Sequence, residues 1–376
     1  MKTFKHRILR RFLPYYKRIK GIFVAKLLPN ENNINSDKLN LKYVDDDLVE
    51  NHQRLCKLHI DNFIMDLKET IGESRKIVLG PWIGELGYEL LYWIPFLRFL
   101  KSKGVFDNKE CIVISRGGMQ YWYSDICTEY IEIFDQITLE EYTLLRKRFY
   151  SEQVSNKNIY TSATEILIAK KCRADYEFLF SQSIMFSFLN QFIKSLGKRA
   201  TLNFFTSVLQ LEIPEDFPKT NNFQFPENEK YIITNFYSRP SFQITLADIS
   251  KINAMLFDLS KEFRIIRIDE FTYDLEHNEL SNIYDGIPYQ GIESIGISSN
   301  LLVKTALIRN ADFYIGTYGG PSYLSVLNGI PTFVFSSSYE GLNPMHENLI
   351  REIVRKTKKS WVHMTVADLS LFPICR

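Results

Sequence analysis

The sequence predicts an α/β fold with mostly parallel sheets, divided into two domains. Short apolar strands alternate with helical sequence in both halves of the chain, a pattern typical of parallel sheets that are covered by helices on both faces. In each half, one strand runs into a glycine-rich turn that opens a helix. A length of 376 residues is also more than one hydrophobic core usually organises, so two domains are expected.

The first half begins its predicted sheet at residues 76–79, a short apolar run. A second strand is predicted at residues 111–115, and helical sequence lies between the two, so together they form a βαβ unit with parallel pairing. The pattern also predicts a helix over residues 46–72. Residues 138–211 are predicted to be mainly helical, with a possible strand near residues 158–161.

The alternation restarts in the second half, after a proline- and asparagine-rich stretch at residues 211–229. The predicted strands are residues 230–235, 264–268, 312–316 and 332–335, and the predicted helices are residues 246–262, 299–310 and 345–356. This half therefore predicts a second parallel sheet.

The glycine turn of the first half spans residues 80–89 and follows the strand at 76–79 directly. Its glycines allow a tight turn and a close approach to a ligand, and two carboxylates, Glu85 and Glu89, lie in or beside it. Its spacing fits neither a dinucleotide fingerprint nor a P-loop. Two interpretations stay open: a site loop that carries a catalytic carboxylate, or a tight turn with solvated acids.

The glycine turn of the second half spans residues 316–322 and opens a helix with Pro321 in its first turn. Backbone N–H groups at a helix N-terminus favour anions, and a nearby arginine suits a diphosphate. The candidate anion contacts are Arg239, Thr317, Gly319, Gly320 and Ser322. An ordinary strand-to-helix turn with a surface arginine is the alternative.

Residues 310–335 resemble the donor-domain segment of GT-B glycosyltransferases, most closely the bacterial heptosyltransferase group and more weakly the GT-B fucosyltransferases. Residues 316–322 match the phosphate turn of those families, Gly329 and Pro331 match a closing pair, and Arg239 matches an arginine after the first donor-domain strand. The resemblance implies a GT-B-like fold: two Rossmann-like domains whose parallel sheets face each other across a cleft.

The resemblance also implies a chemistry. In the heptosyltransferase-like families, an acid in the first glycine turn acts as the base, and Glu85 fits that position best, with Glu89 second. This sequence carries Glu where Asp is usual, and Tyr318-Gly319 where a Ser-Gly-like pair is usual. The implied reaction is inverting, metal-independent transfer of a sugar from a nucleotide-sugar donor to a glycan or lipid-linked acceptor in cell-surface polysaccharide synthesis. Further possible substrate contacts are Gly84, Gly87, Arg116, Asp269 and Glu340.

The predicted domain boundaries follow from these elements. They are a basic N-terminal arm and linker at 1–45, an acceptor-side Rossmann-like domain at 46–212, an interdomain linker at 213–229, a nucleotide-sugar-binding Rossmann-like domain at 230–345, and a helix and tail at 346–376 that pack back toward the N-terminal domain.

The composition of the chain gives no support to several classes of function. A net charge of +2 gives no general signature of nucleic-acid binding. The five cysteines are scattered without a CxxC pair, so we expect neither a metal nor a cofactor, and the thiols suit a reducing, cytoplasmic compartment. No apolar run in the sequence is long enough to span a bilayer.

Residues 1–26 carry nine Lys or Arg and no acid, interleaved with apolar side chains. Such an arm can lie on an anionic membrane surface, which predicts peripheral contact with the inner face of the membrane. A basic tail without that role is the alternative. Two other functions also remain open: a nucleotide-sugar 2-epimerase of the same fold, and a non-catalytic protein that binds a sugar nucleotide or a glycan.

Overall fold

The computed structural model describes residues 46–155, 161–208, 229–238, 243–268, 278–292, 296–337, 344–357 and 360–365. By its internal contacts the chain divides into two units, residues 1–57 and residues 58–376. Of the first unit, the structure describes residues 46–57, which are helical. Both sheets lie in the second unit.

The first sheet and its helices occupy the chain up to residue 208. The elements are α1 (Asp46–Ile71), β1 (Lys76–Leu79), α2 (Leu86–Tyr88), a π-helical turn (Glu89–Trp93), α3 (Ile94–Ser102), β2 (Glu110–Ser115), β3 (Glu129–Glu132), α4 (Leu139–Ser155), α5 (Ala163–Lys171), β4 (Phe178–Phe180) and α6 (Gln182–Val208). The strands are all parallel and their order across the sheet is β3-β2-β1-β4.

The second sheet follows from residue 231. The elements are β5 (Tyr231–Asn235), β6 (Tyr237–Ser238), α7 (Leu246–Leu259), β7 (Arg264–Arg267), β8 (Asn278–Glu279), β9 (Tyr289–Gln290), α8 (Asn300–Asn310), β10 (Phe313–Thr317), α9 (Gly320–Leu327), β11 (Thr332–Ser336), α10 (Pro344–Thr357) and β12 (Trp361–Thr365). Its six parallel strands have the order β12-β11-β10-β5-β7-β9, while β6 and β8 form a separate antiparallel pair.

Both sheets are doubly wound. Counted along the chain, the strands of the second sheet lie in the order 3-2-1-4-5-6, and those of the first sheet lie in the order 3-2-1-4. The order therefore reverses beside the first strand of each sheet, between β1 and β4 and between β5 and β10. These observations confirm the predicted fold class of an α/β chain with two Rossmann-like parallel sheets.

Aromatic side chains fill the core beside the first sheet. Trp82 and Trp93 stack with ring centroids 5.6 Å apart, and Trp93 stacks on Phe180 at 5.8 Å. Phe96 stacks on Phe188 of α6 at 5.2 Å. All five side chains are buried, so the glycine turn that contains Trp82 rests on a tightly packed base.

Most predicted elements are present, with informative exceptions. The strand β3 was not predicted, because its sequence Glu-Tyr-Ile-Glu has acids at both ends and a half-exposed middle. The three-residue β4 lies in a stretch that was predicted to be helical, and the possible strand near residues 158–161 falls largely outside the described residues. The strand β12 was also unpredicted, and it extends the second sheet by pairing with β11. The domain boundaries stay a prediction.

Candidate functional site

The two predicted glycine turns lie at the switch points of the two sheets. The first turn follows β1, and Ser181 and Gln182 follow the neighbouring β4. The second turn follows β10, and Phe236 follows the neighbouring β5. In open α/β sheets, ligands bind outside the carboxyl ends of the strands at this point. The topology therefore places both turns where a doubly wound sheet holds its ligand.

The first turn starts close to the sheet. The Gly80 N–H donates to the Phe180 carbonyl at 2.9 Å, and the Trp82 N–H donates to the Ile114 carbonyl at 3.0 Å. Gly80 has a φ of +120°, and a Cβ on it would lie 2.5 Å from the Ile114 oxygen. A side chain at this position is excluded by both the backbone angle and the space, which explains the glycine.

Glu89 is a buried carboxylate that braces the turn. It is 0% exposed, and it accepts hydrogen bonds from the hydroxyls of Ser115 and Tyr123, each at 2.6 Å. It also forms an ion pair with Arg116 at 2.9 Å, and Arg116 in turn donates to the Gly84 carbonyl at 2.7 Å. The sequence predicted Glu89 as a second candidate base and Arg116 as a substrate contact. The structure places both in a network that joins the turn to the carboxyl end of β2.

Glu85 lies in the same turn and is exposed. It is the N-cap residue of α2, with extended backbone angles of φ −67° and ψ 150°, and its carbonyl accepts from the Glu89 N–H at 3.2 Å. Of the two predicted carboxylates, Glu85 is therefore the one at the surface. Gly84 and Gly87, also predicted as contacts, flank it and are buried.

The second turn is shaped by two buried hydroxyls. Thr317 Oγ1 donates to the Tyr237 carbonyl and accepts from the Tyr237 N–H, both at 3.1 Å. Ser322 Oγ donates to the Gly319 carbonyl at 2.7 Å and accepts from the Gly319 N–H at 3.1 Å. Both hydroxyls hold backbone in this conformation, and their predicted phosphate contacts stay predictions. Gly320 begins α9 and is partly exposed.

The two glycine turns pack directly against each other. A Cβ on Gly87 would lie 2.8 Å from a ring carbon of Tyr323, and a Cβ on Gly320 would lie 3.3 Å from the Gly87 nitrogen and 3.1 Å from Leu86 Cβ. The absence of side chains on Gly87 and Gly320 is what allows this approach. The exposed Glu85 carboxylate therefore belongs to the turn that contacts the N-terminus of α9.

A second junction joins the two halves at Gly117 and Gly118. The Gly117 carbonyl accepts from the Leu302 N–H of α8 at 2.9 Å. Glu132 fixes this turn from the other side, because its carboxylate accepts from the N–H groups of Gly117 at 2.9 Å and Gly118 at 2.8 Å. Burial raises the pKa of Glu132 to about 7, although hydrogen bonds from the backbone and from Tyr130 act in the opposite direction.

A cluster of rings beside the paired turns was not predicted as part of the site. His346, on α10, lies 4.8 Å from the ring of Tyr88 and 5.3 Å from that of Tyr92, and its Nδ1 lies 3.3 Å from the Tyr323 hydroxyl. Its position near a helix start favoured a cap or surface residue over a catalyst, whereas the structure buries His346. The signal that was available is a tyrosine next to each glycine turn: Tyr88 directly follows Gly87, and Tyr323 directly follows Ser322.

A buried polar chain lies deeper in the second sheet. Ser336 Oγ is 2.9 Å from His363 Nε2, and His363 Nδ1 is 3.6 Å from Glu347. Burial alone would raise the pKa of Glu347, but hydrogen bonding and charge from His363 and Arg351 lower it overall. The ring of His363 stacks on that of Tyr318, with ring centroids 5.1 Å apart, so these buried polar side chains contact the second glycine turn.

Three predicted contacts, Arg239, Asp269 and Glu340, lie outside the described residues, as does the basic arm. In the part of the chain that the structure describes, no group of three or more His, Cys, Asp or Glu side chains could hold a metal ion. In the same residues, no helix is both long and apolar enough to cross a membrane.

The chain was compared with known proteins. No family model and no curated protein matches it. The solved structures that resemble it include ADP-heptose LPS heptosyltransferase II of Escherichia coli, at 11% identity and a TM-score of 0.40, covering 77% of this chain and 89% of that one. The chain resembles glycosyltransferases of the GT-B type.

Two further solved structures resemble the chain. A family 9 glycosyl transferase of Veillonella parvula has 12% identity and a TM-score of 0.37, covering 69% of this chain and 80% of that one. A putative UDP-N-acetylglucosamine 2-epimerase of Listeria monocytogenes has 11% identity and a TM-score of 0.32, covering 75% and 88%. All three structures have TM-scores below 0.5.

Proposed function

We propose that this protein is an inverting glycosyltransferase that moves a sugar from a nucleotide-sugar donor to a glycan or lipid-linked acceptor. The observation that carries the proposal is the meeting of the two switch-point turns. One turn offers the exposed carboxylate of Glu85, and the other offers the N-terminus of α9, packed against it through Gly87 and Gly320. A base and an anion site on facing turns are the two parts that this reaction needs.

In this mechanism, Glu85 accepts the proton of the acceptor hydroxyl as that oxygen attacks the anomeric carbon of the donor. The bond to the nucleoside diphosphate breaks on the opposite side, which inverts the configuration. Negative charge then grows on the departing diphosphate. The N-terminus of α9, at Gly320, favours that charge, and Arg239 is proposed to add a positive charge beside it.

Glu85 is favoured over Glu89 as the base because Glu85 is exposed to solvent and Glu89 is not. Glu89 is fully buried and its oxygens already accept from Ser115, Arg116 and Tyr123. A base must reach the substrate hydroxyl, and a carboxylate that holds three internal donors is not placed to do so. Glu89 is instead proposed to keep the turn in shape.

We propose that the reaction needs no metal. The growing charge would be met by the helix N-terminus and Arg239, which together take the part that a divalent cation plays in other sugar transferases. The basic arm at residues 1–26 is proposed to bring the protein to an anionic membrane surface, where a lipid-linked acceptor is found. A role in cell-surface polysaccharide synthesis follows from that acceptor class.

A screen of melting temperatures tests the donor side. The purified protein is heated with a panel of nucleoside diphosphates and nucleotide sugars, with and without Mg²⁺. A ligand that binds only the native state raises the melting temperature, by an amount that follows its concentration and affinity. We expect one nucleotide family to raise it without the metal. No response to any nucleotide would contradict the proposal, and a response that requires Mg²⁺ would contradict its metal-independent form.

A nucleotide-sugar 2-epimerase remains the alternative within this architecture. Such an enzyme would convert the free nucleotide sugar without any acceptor, whereas a transferase releases the nucleoside diphosphate only when an acceptor or water takes the sugar. Product analysis of the nucleotide sugar that stabilises the protein therefore separates the two.

A further inference from the structure

We propose that Gln182 is a positioning residue that, together with Arg116, fixes the backbone that carries Glu85. The inference rests on the proposed function, since it assigns a task to the turn in which the base stands. Gly84, directly before Glu85, is held from two sides by side chains that follow two different strands, Arg116 after β2 and Gln182 after β4. The residues that hold it lie far from it in sequence, and neither belongs to the glycine turn.

We call the contacts of Gln182 and Arg116 with Gly84 the clamp. Its first side is the amide oxygen of Gln182. This residue begins α6, two residues after the end of β4, and is 0% exposed. Its Oε1 accepts from the Gly84 N–H at 3.2 Å and from the Ile83 N–H at 3.4 Å. Because both partners are donors, the oxygen of the carboxamide must face the turn and its nitrogen must face away.

The second side of the clamp is the guanidinium of Arg116. It donates to the Gly84 carbonyl at 2.7 Å, and it is anchored by its ion pair with the buried Glu89. That carbonyl belongs to the peptide group that ends at the nitrogen of Glu85. Because a peptide group is planar, a hydrogen bond to its oxygen fixes the direction from which the chain enters Glu85.

The chain that leaves Glu85 is held as well. The Glu85 carbonyl accepts from the Glu89 N–H at 3.2 Å as the helical turn begins. The backbone of Glu85 is thus constrained on both sides while the residue itself is exposed. A catalytic carboxylate on a fixed backbone meets the substrate in one geometry, and such positioning supplies much of the rate enhancement of enzymes.

Only the oxygen of Gln182 makes hydrogen bonds within the residues that the structure describes. Its Nε2 is buried and has no hydrogen-bond partner there. Replacing that nitrogen by oxygen, in Gln182→Glu, therefore breaks no hydrogen bond and keeps an acceptor for both N–H groups, although the buried carboxyl group lowers the stability of the whole fold. Gln182→Met keeps a similar length but removes the acceptor, which leaves two buried N–H groups unpaired. The two variants separate the acceptor from the bulk of the side chain.

Hydrogen exchange of the full-length protein without ligand tests the clamp. The amides of Ile83 and Gly84 are expected to exchange at least ~10-fold faster in Gln182→Met than in the wild type, because their acceptor is lost. Because Gln182→Glu buries a carboxyl group and so lowers global stability, exchange of Ile83 and Gly84 is compared with that of the other protected amides of the same variant. Relative to those amides, Ile83 and Gly84 are expected to keep their wild-type protection in Gln182→Glu, and this comparison stands even where Gln182→Met does not fold. Unchanged exchange in Gln182→Met, or selectively faster exchange of Ile83 and Gly84 in Gln182→Glu, would overturn the clamp.

Turnover tests whether the clamp positions the base. The assay follows nucleoside-diphosphate release from the nucleotide sugar that raises the melting temperature most. We expect kcat to fall about 10- to 100-fold in Gln182→Met, while the donor KM and the nucleotide-induced rise in melting temperature stay unchanged. The kcat of Gln182→Glu should be close to that of the wild type. Faster exchange with an unchanged kcat would leave Gln182 a purely structural residue and overturn its positioning role.

The hydrogen-exchange measurement also separates the clamp from the proposed function. A wild-type protein that consumes no nucleotide sugar would remove the proposed function, and with it the positioning of a transfer base. The exchange of Ile83 and Gly84 would in that case still decide whether Gln182 holds the turn, since it needs no substrate.

Discussion

Replacing Glu89 by glutamine tests the brace of the first glycine turn. The carboxylate is completely buried and makes three side-chain contacts, with Ser115 and Tyr123 at 2.6 Å and with Arg116 at 2.9 Å. Gln has the same shape but no charge. Glu89→Gln therefore removes one carboxylate charge that lies 2.9 Å from the guanidinium of Arg116, which is itself 2% exposed.

The expected loss of stability is large. Removing one partner of a buried ion pair typically costs about 3–5 kcal/mol, because the other charge stays buried and uncompensated. Proteins are stable by only about 5–15 kcal/mol in total. We therefore expect the melting temperature of Glu89→Gln to fall by roughly 5–10 °C.

The assay is urea and thermal unfolding followed by circular dichroism, with Glu85→Gln as the matched control. Glu85 is exposed, so its substitution is expected to change the free energy of unfolding by no more than about 0.5 kcal/mol. The double variant Glu89→Gln with Arg116→Met removes both charges and should be less destabilised than the sum of the two single variants predicts. A Glu89→Gln protein within ~1 kcal/mol of the wild type would refute the brace.

Three further predictions follow from the junctions and the arm. Gly87→Ala places a Cβ 2.8 Å from a ring carbon of Tyr323 and should lower the free energy of unfolding by about 1–3 kcal/mol. In the control Gly296→Ala, the nearest atom to the new Cβ would be 4.0 Å away, so the free energy of unfolding should not change. Equal effects of the two substitutions would contradict the turn-to-turn contact. The pKa of Glu132 is raised to about 7 in the folded protein. Between pH ~4.5 and ~7, Glu132 therefore holds a proton in the folded protein that it has lost in the unfolded chain. The contribution of Glu132 to stability consequently falls as the pH rises through that window. The unfolding free energy of the wild type relative to Glu132→Gln should therefore drop by on the order of 3 kcal/mol from pH 4.5 to pH 8, and a difference that does not change with pH would count against the raised pKa. Deleting residues 1–26 should lower association with vesicles that contain anionic lipid, and should leave association with neutral vesicles unchanged; equal binding of both proteins to anionic vesicles would remove the membrane role of the arm.

The sequence was sufficient to predict the features that depend on local pattern. Alternating strands and helices predicted two parallel sheets, and strand, glycines and helix in succession located both turns, which the structure places at the switch points. These features are readable because a tight turn into a helix needs glycine at specific positions, as Gly80 with its φ of +120° illustrates.

The parts that could not be predicted depend on contacts between distant residues. Gln182 holds Gly84 across 98 positions of sequence, and Arg309 of α8 donates to the Tyr121 hydroxyl across 188 positions. No local pattern indicates either contact. Glu89 is an intermediate case. An acid directly before the apolar run Leu90 to Trp93 is a signal for a buried carboxylate, but its partners lie on β2 and after it.

The most direct test of the proposed reaction compares the wild type with Glu85→Gln in nucleoside-diphosphate release from the donor that the melting screen selects. A positioned general base contributes about 10²- to 10⁴-fold, so we expect turnover to fall by that factor. The melting temperature and its rise with the nucleoside diphosphate should be kept, since Glu85 is exposed and the anion site lies on the other turn. Turnover of Glu85→Gln at the wild-type rate would contradict Glu85 as the base and, with it, the central claim.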